Sequence, residues 1–534
     1  MVNLNWKKGC NQMKKIYKSA AVATMMGLLT LAVAGCGDDK AAPVSSEKLK
    51  FGVTNFADSL EPTDNFFGWV VMRYGLGECL SKFDDKMNVV PWLAESWQIS
   101  DDKLTWTFKI NDKVVFSNGD KLTAEIAKES IERAFKNNAR AQSFFTYAEI
   151  KADGQNLIIR TDKPVPTLPG MLADPLFIII DTKVTDCDYA KEGPICTGPY
   201  MVKSYSKSKA EMVANPNYWD GKVPFKAVDI PTIDDPNTRA MALQSGEIDF
   251  AINIAAGDLE LFKNDNYKIS EIASLRTVLA QMNMNEGKPL ADPKVRAALI
   301  SCLDRETYNK VLLKDTFIPG KAPVPPSLDY GFDQLNDPNS YNVERAKKLL
   351  AEAGWQDTNG DGYVDKNGKN MELDFVYYSG RAELPLYAEA TQADAKKIGI
   401  KVNMKNVDYN VLDPMRRNGE FDLIISNILT ANSGDPEVYL NWYWKTNVNG
   451  SQPQNSTGYS NPEFDALSDQ LAVEFDPAKR RDLMIKMQQI LLNDGVALFF
   501  GYPKTNMVSK ASVQDADIKP ADYYWLTKDI KPAQ

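Results

Sequence analysis

From about residue 49 onward the hydrophobic positions of the chain switch between two periods. LTWTFKI (Leu104 to Ile110) alternates apolar and polar residues, as a half-buried strand does. AEIAKESIERAF (Ala124 to Phe135) instead sets Ile126, Ala127, Ile131, Ala134 and Phe135 on one helical face, with Thr123 placed to cap it and Glu125 in its first turn. The same signals return in DDPNTRAMALQSGEIDFAIN: Asp235 caps, Pro236 takes the first helical position, Gly246 stops the helix and a strand follows. They return again in ELPLYAEATQADAKKIGIKVNMKNV, where Gly399 ends a helix before the strand Ile400 to Val407. Strands alternating with helices, without internal repeats, predict a mixed α/β fold.

The chain has 534 residues, 44% of them apolar, enough for a large core and for more than one domain. From Met13, MKKIYKSAAVATMMGLLTLAVAGCG begins with Lys14, Lys15 and Lys18, continues as an apolar run and ends at Ala34-Gly35-Cys36, the form of a secretory signal. The run falls short of the ~20 residues a spanning helix needs. Val33 to Cys36 resembles the bacterial lipobox, whose cysteine is lipidated and becomes the first residue of the mature chain. The expected organisation is residues 1–12 as an over-extended start, 13–36 as a lipoprotein signal ending at lipidated Cys36, and 37–48 as a flexible tether. The address is then extracytoplasmic, in the periplasm or at the cell surface, with a lipid anchor in the membrane.

Lysine and arginine total 62 against 71 aspartate and glutamate, and the pI is about 5.1, which argues against a nucleic-acid partner. Histidine is absent, so Ser-His-Asp and Cys-His catalysis, helical HExxH zinc sites and imidazole pH switches are excluded. SYSK (Ser204 to Lys207) matches the SxxK nucleophile motif but has no SDN or KTG companion. Phosphate-binding glycine loops, GxSxG elbows and paired CxxC motifs are missing, and no carboxylate pair stands out as a glycosidase would require. No cofactor is implied.

DTNGDGYVDKNGK (Asp357 to Lys369) offers Asp357, Asn359, Asp361 and Asp365 as candidate calcium ligands. Its twelfth position is Gly368, where an EF-hand loop needs a bidentate carboxylate, so a polar turn is the expected role. Of six cysteines, Cys10 and Cys36 fall in the leader. Cys187 and Cys196 flank a Gly-Pro turn and are expected to form a disulfide, which so short a loop would make worth about 2 to 3 kcal/mol. Cys79 and Cys302 sit on apolar stretches that read as helical and are expected to be buried as small hydrophobes.

LAESWQISDDKLTWTFKINDKVVFSNGDKLTAE (Leu93 to Glu125) closely resembles the signature region of the bacterial family 5 solute-binding proteins, the peptide and nickel receptors of ABC importers. The resemblance continues through CTGPY (196 to 200), NPNYW (215 to 219), DDPNTRAMALQSGEID (234 to 249), AEAGWQDTNGDG (351 to 362) and the helix from Pro385. It implies a two-lobed periplasmic-binding-protein-like α/β fold of type II, cluster C, with a hinge and an interlobe ligand cleft. Lobe I is expected at 49–280, completed by 495–534, and lobe II at 281–494. It also implies a monomeric, non-enzymatic receptor that closes on a small-molecule ligand and hands it to the transmembrane subunits of an ABC permease.

Residue by residue, Arg381 in YYSGRAELP matches an arginine that the dipeptide branch uses for the ligand carboxylate, a task suited to a planar two-donor fork. Arg140 in NNARAQS matches one that the nickel-chelate branch uses for carboxylates of the metal's organic ligand. Asn432, beside Ser433, stands where peptide binders carry an aspartate for the α-amino group, and Asp435 before Pro436 reads as a helix cap. In the nickel branch's pattern a second arginine aligns with Asp174, a tryptophan with Ser143 and a loop aromatic with Asn65. Phe66, Phe67 and Trp69 in DNFFGW are aromatic candidates for the ligand's apolar parts, whereas Trp442 and Trp444 are spaced for core packing. The expected ligand bears a carboxylate and is a short peptide or a metal chelate. The rival expectations are a secreted carboxylate-dependent hydrolase with a calcium loop, and a chaperone-like surface lipoprotein on the same fold.

Overall fold

A computed structural model describes residues 47–452 and 454–533; Cys10, the signal segment, the lipidation candidate Cys36 and most of the tether lie outside the described residues. Among the described residues no helix is long and apolar enough to cross a membrane. The chain divides into two compact units. The first takes residues up to Lys163, Leu172–Glu271 and Asn506 onward; the second takes Pro164–Met171 and Ile272–Thr505.

The first unit is organised around the strand Lys48–Gly52, which runs parallel to Ala227–Pro231 on one side and to Phe250–Ile252 on the other. Antiparallel strands Lys209–Ala214 and Tyr200–Ser206 extend the first edge. Met507 to Ser509, at the end of the strand Ala497–Lys510, pair with Phe250–Ile252 on the second. All three residues of Phe250–Ile252 are buried, so the strand is covered on both faces and reads as the unbroken apolar run FAI; Phe51 stacks on Phe250 with ring centroids 4.0 Å apart. A separate antiparallel sheet orders Ala94–Ile99, Thr105–Ile110, Asn156–Thr161 and Tyr147–Asp153. Thr105–Ile110 alternates as its sequence predicts, with Trp106, Phe108 and Ile110 inward. The helix Ala124–Asn137 starts where Thr123 accepts the Ile126 N–H, and it buries Ile126, Ala127, Ile131 and Ala134.

In the second unit the strand Glu372–Tyr377 is parallel to Lys401–Asn406 and to Leu423–Leu429. Arg276–Met282 and then Ala497 to Gly501 continue the sheet antiparallel. The helix Glu383–Lys397 makes the crossover from Glu372–Tyr377 to Lys401–Asn406, and Gly399, at φ 80°, makes the turn into the strand. Tyr387 of that helix stacks on Phe500 at 4.8 Å, and its hydroxyl donates to Asn309 Oδ1 at 2.6 Å. Burying an aromatic ring of this size contributes roughly 1.5–3 kcal/mol, provided the hydroxyl finds such an acceptor.

Two expectations about the cysteines are corrected. Cys187 and Cys196 are not bonded to each other. The Cys196 carbonyl accepts the Ser117 N–H at 2.9 Å inside the first unit, whereas Cys187 lies in a partly exposed turn. Burial, reinforced by the charges of Glu78 and Glu61, pushes the Cys196 thiol well up, and a thiol held protonated is a poor partner for disulfide exchange. Cys302 closes the helix Pro293–Ser301, but Cys79 lies in irregular backbone beyond the helix Gly68–Arg73; both are fully buried.

Candidate functional site

In the first unit the candidate residues converge on one place. Glu61 receives Arg133 through two parallel bonds, Nη1 to Oε1 at 2.8 Å and Nη2 to Oε2 at 2.5 Å, and Thr63 donates to the same carboxylate. Burial opposes the charge of Glu61, but the donors from Arg133 and Thr63 outweigh it and hold the carboxyl below its usual range. Asn138 Nδ2 donates to the carbonyls of Thr63 and Asn65, at 3.0 and 3.1 Å. The loop is thereby fastened to the end of the helix Ala124–Asn137. Asn65 takes φ 45°, a left-handed conformation that asparagine tolerates better than most residues.

The helix Gly68–Arg73 follows at once. A Cβ on Gly68 would meet the Pro175 carbonyl oxygen at 2.3 Å, so glycine is what lets the helix start lie against Pro175. Trp69 is buried between Tyr523, at 5.1 Å, and the edge of Phe66, at 6.3 Å. Phe67 is half-buried and Phe66 is exposed.

Arg140 opens the short helix Arg140–Phe144, its own N–H held by Asn138 Oδ1 at 3.0 Å. Its guanidinium lies 4.4 Å from the Phe66 ring centroid and 5.5 Å from that of Phe144. Nη2 donates to Asp174 Oδ1 at 3.3 Å; the same oxygen caps the turn Pro175–Phe177 by accepting the Leu176 N–H at 2.9 Å. Arg140 Nε and Nη1 and Asp174 Oδ2 are all shut from solvent without a hydrogen-bond partner. Leaving such an atom unsatisfied costs about 1–3 kcal/mol, more when charged, so three together mark a place where a partner is due. Ser143 donates its hydroxyl to the Arg140 carbonyl at 2.6 Å.

The second unit holds the other candidates. Arg381 follows the C-terminal end of the parallel strand Glu372–Tyr377, the end at which open α/β sheets place their ligands. It is half-exposed beside Tyr378, whose hydroxyl burial pushes up and Arg381 pulls back. Tyr378 meets Tyr409 edge-on at 5.2 Å. Asn432 keeps its Oδ1 buried without a donor. Ser433 is 2% exposed and spends its hydroxyl on the Asp435 carbonyl at 3.3 Å. Asp435 accepts the Glu437 N–H at 3.0 Å at the start of the helix Glu437–Trp444, and its other oxygen takes Arg480 Nη2 at 2.6 Å. Trp444 is core at 1% exposed, whereas Trp442 is only half-buried.

The carboxylates of the calcium-like loop are spent on the chain itself. Asp357 accepts the N–H groups of Gly360 and Gly362, Asp361 that of Tyr363, and Asp365 the N–H and the hydroxyl of Thr358. Asn367 and Gly368, both at positive φ, turn the hairpin between Asp365–Lys366 and Lys369–Asn370. Among the described residues no group of three or more acidic or thiol side chains is arranged to hold a metal ion.

Sequence reasoning missed Arg416. Its side chain is 5% exposed, pairs with Asp413, and donates to Gln454 Oε1 and Ser426 Oγ at 3.1 Å each, leaving Nε buried without an acceptor. The nearby Tyr443 hydroxyl is pushed up to about 12, burial outweighing the pull of Arg416. MRRNGEF reads as an exposed basic helix end, so nothing local announces the burial.

Residues 88–451 match the family model of the bacterial extracellular solute-binding proteins, family 5. The chain belongs to that family. The nickel-binding protein NikA of Staphylococcus aureus (strain NCTC 8325 / PS 47) is 26% identical over 500 residues, covering 93% of this chain and 96% of the relative. The oligopeptide-binding protein AppA of Bacillus subtilis (strain 168) is 26% identical over 553 residues, covering 97% and 100%. The crystal structure of S. aureus NikA in complex with Ni(L-His)2 superposes with a TM-score of 0.76 at 25% identity, over 91% of this chain and all of that one. The chain is therefore a family 5 solute-binding protein, of the kind that serves nickel and peptide ABC importers, and its named relatives are binding proteins.

Proposed function

We propose that this family 5 protein is an extracytoplasmic lipoprotein, anchored through Cys36, that captures a small carboxylate-bearing ligand as a monomer and delivers it to an ABC permease. The ligand is an amino-acid-type metal chelate or a short peptide. Arg140 receives its carboxylate, Phe66 and Trp69 with Asn65 form the wall beside it, and Arg381, Asn432 and Ser433 are the second unit's candidates for ligand contacts.

One observation carries this reading: the Arg140 guanidinium is buried against an aromatic ring with Nε and Nη1 lacking any acceptor. A planar fork with unspent, desolvated donors suits a carboxylate. With no histidine in the chain, a metal would arrive already chelated. Capture and release involve no bond-making, in keeping with relatives named for binding.

The test is a titration of the mature protein with nickel(II)–L-histidine and with a dipeptide mixture, followed by tryptophan fluorescence. At least one probe should bind with a dissociation constant near micromolar, about 8 kcal/mol, and Arg140→Gln should weaken it at least about tenfold. Binding untouched by that substitution would refute the reading.

A further inference from the structure

The Arg140–Asp174 pair is only half engaged. An arginine meeting a carboxylate usually makes two short parallel bonds, but here one contact of 3.3 Å joins them. That leaves two donors, Arg140 Nε and Nη1, and one anionic acceptor, Asp174 Oδ2, buried in the same neighbourhood without partners. Asp174 is fully buried, so its charge acts there with little screening by water. Phe66, 44% exposed and lying over the guanidinium, is the cover through which a ligand would reach the pair.

We infer that the Arg140–Asp174 pair reads an amino-acid headgroup, a carboxylate together with a positively polarised N–H donor, and discriminates against ligands that offer carboxylates alone. This rests on the carboxylate capture proposed above. The two guanidinium donors take the carboxylate; the unspent Asp174 oxygen takes the ammonium or metal-bound amine. A second carboxylate brought to the same place would face a buried anion, and like charges there repel strongly. Asp174 is thus a specificity-determining residue, and the pair, which has no net charge, suits a ligand group that has none.

Two probe pairs test this, each keeping a carboxylate and removing the ammonium or metal-bound amine: nickel(II)–L-histidine against nickel(II)–citrate, and a dipeptide mixture against the same mixture N-acetylated. Asp174→Asn retains an oxygen to cap Leu176, and its melting temperature checks that the fold survives. In at least one pair the wild type should prefer the amine-bearing member by about tenfold, and Asp174→Asn should cut that preference to about threefold or less. A preference unchanged by Asp174→Asn, or no preference in a wild type that binds both members, overturns this inference and leaves carboxylate capture standing. A wild type that binds none of the four probes overturns both.

Discussion

The Arg140 guanidinium lies over Phe66, 4.4 Å from the ring centroid, while its Nη2 reaches Asp174. A cation is thus held between an aromatic cover and a buried anion, with part of its donor fork unspent.

Replacing Arg140 by lysine keeps the charge but loses the planar fork, so ligand affinity should fall about tenfold while the melting temperature changes little. Phe66→Ala should cost less, about two- to fivefold, because a partly exposed cation–π contact contributes only about 0.5–1 kcal/mol. Calorimetric titration of both variants checks the ranking; a larger loss in Phe66→Ala than in Arg140→Lys would contradict it.

Arg381→Gln should weaken ligand binding at least about tenfold without unfolding the protein, since the residue is half-exposed after a strand end. Unchanged affinity would remove Arg381 from the site.

Arg480 is a structural counterpart. It donates to Asp435 and Glu437 and to the carbonyls of Leu471 and Glu474. Arg480→Met would leave two buried carboxylates without their cation, at a cost of about 3–5 kcal/mol. The urea midpoint should drop accordingly, and an unchanged midpoint would contradict the assignment.

Glu78 gives the fold a pH dependence. Burial pushes its carboxyl up to about 7, although Trp219, Thr197 and Tyr218 donate to it. The native state therefore holds this proton more tightly than the unfolded chain, whose carboxyl titrates near the ordinary 4.5. The stabilisation is full below that value and is lost as pH rises through 7, a change on the order of 3 kcal/mol. Glu78→Gln, which keeps an acceptor and gains a donor for the Tyr218 oxygen, should flatten this slope. Urea midpoints at about pH 5 and about pH 8 decide the matter; equal slopes in wild type and variant would sink it.

What the sequence made legible was local. Thr123, Asp235 and Gly399 announce helix ends because a cap or a left-handed turn involves residues within one helical turn. The Asp357 loop was legible for the same reason, its carboxylates turning back on neighbouring N–H groups. Arg140 could be singled out by resemblance, and Asp174 only as a departure from the nickel branch's second arginine; that the two meet was not legible, since 34 residues separate them. Glu78 and Arg416 gave no sign, because burial of a charge depends on groups brought from distant segments. Cys187 and Cys196 misled in the opposite sense: nearness in sequence did not bring a fully buried thiol together with one in a surface turn.

The most direct measurement is mass spectrometry of what the natively purified protein releases on denaturation, wild type beside Arg140→Gln. The wild type should release, chemically unaltered, a small molecule bearing a carboxylate, free or chelated to a metal, and Arg140→Gln should release little of it. Release of a compound without a carboxylate, or equal release from both proteins, would contradict the account.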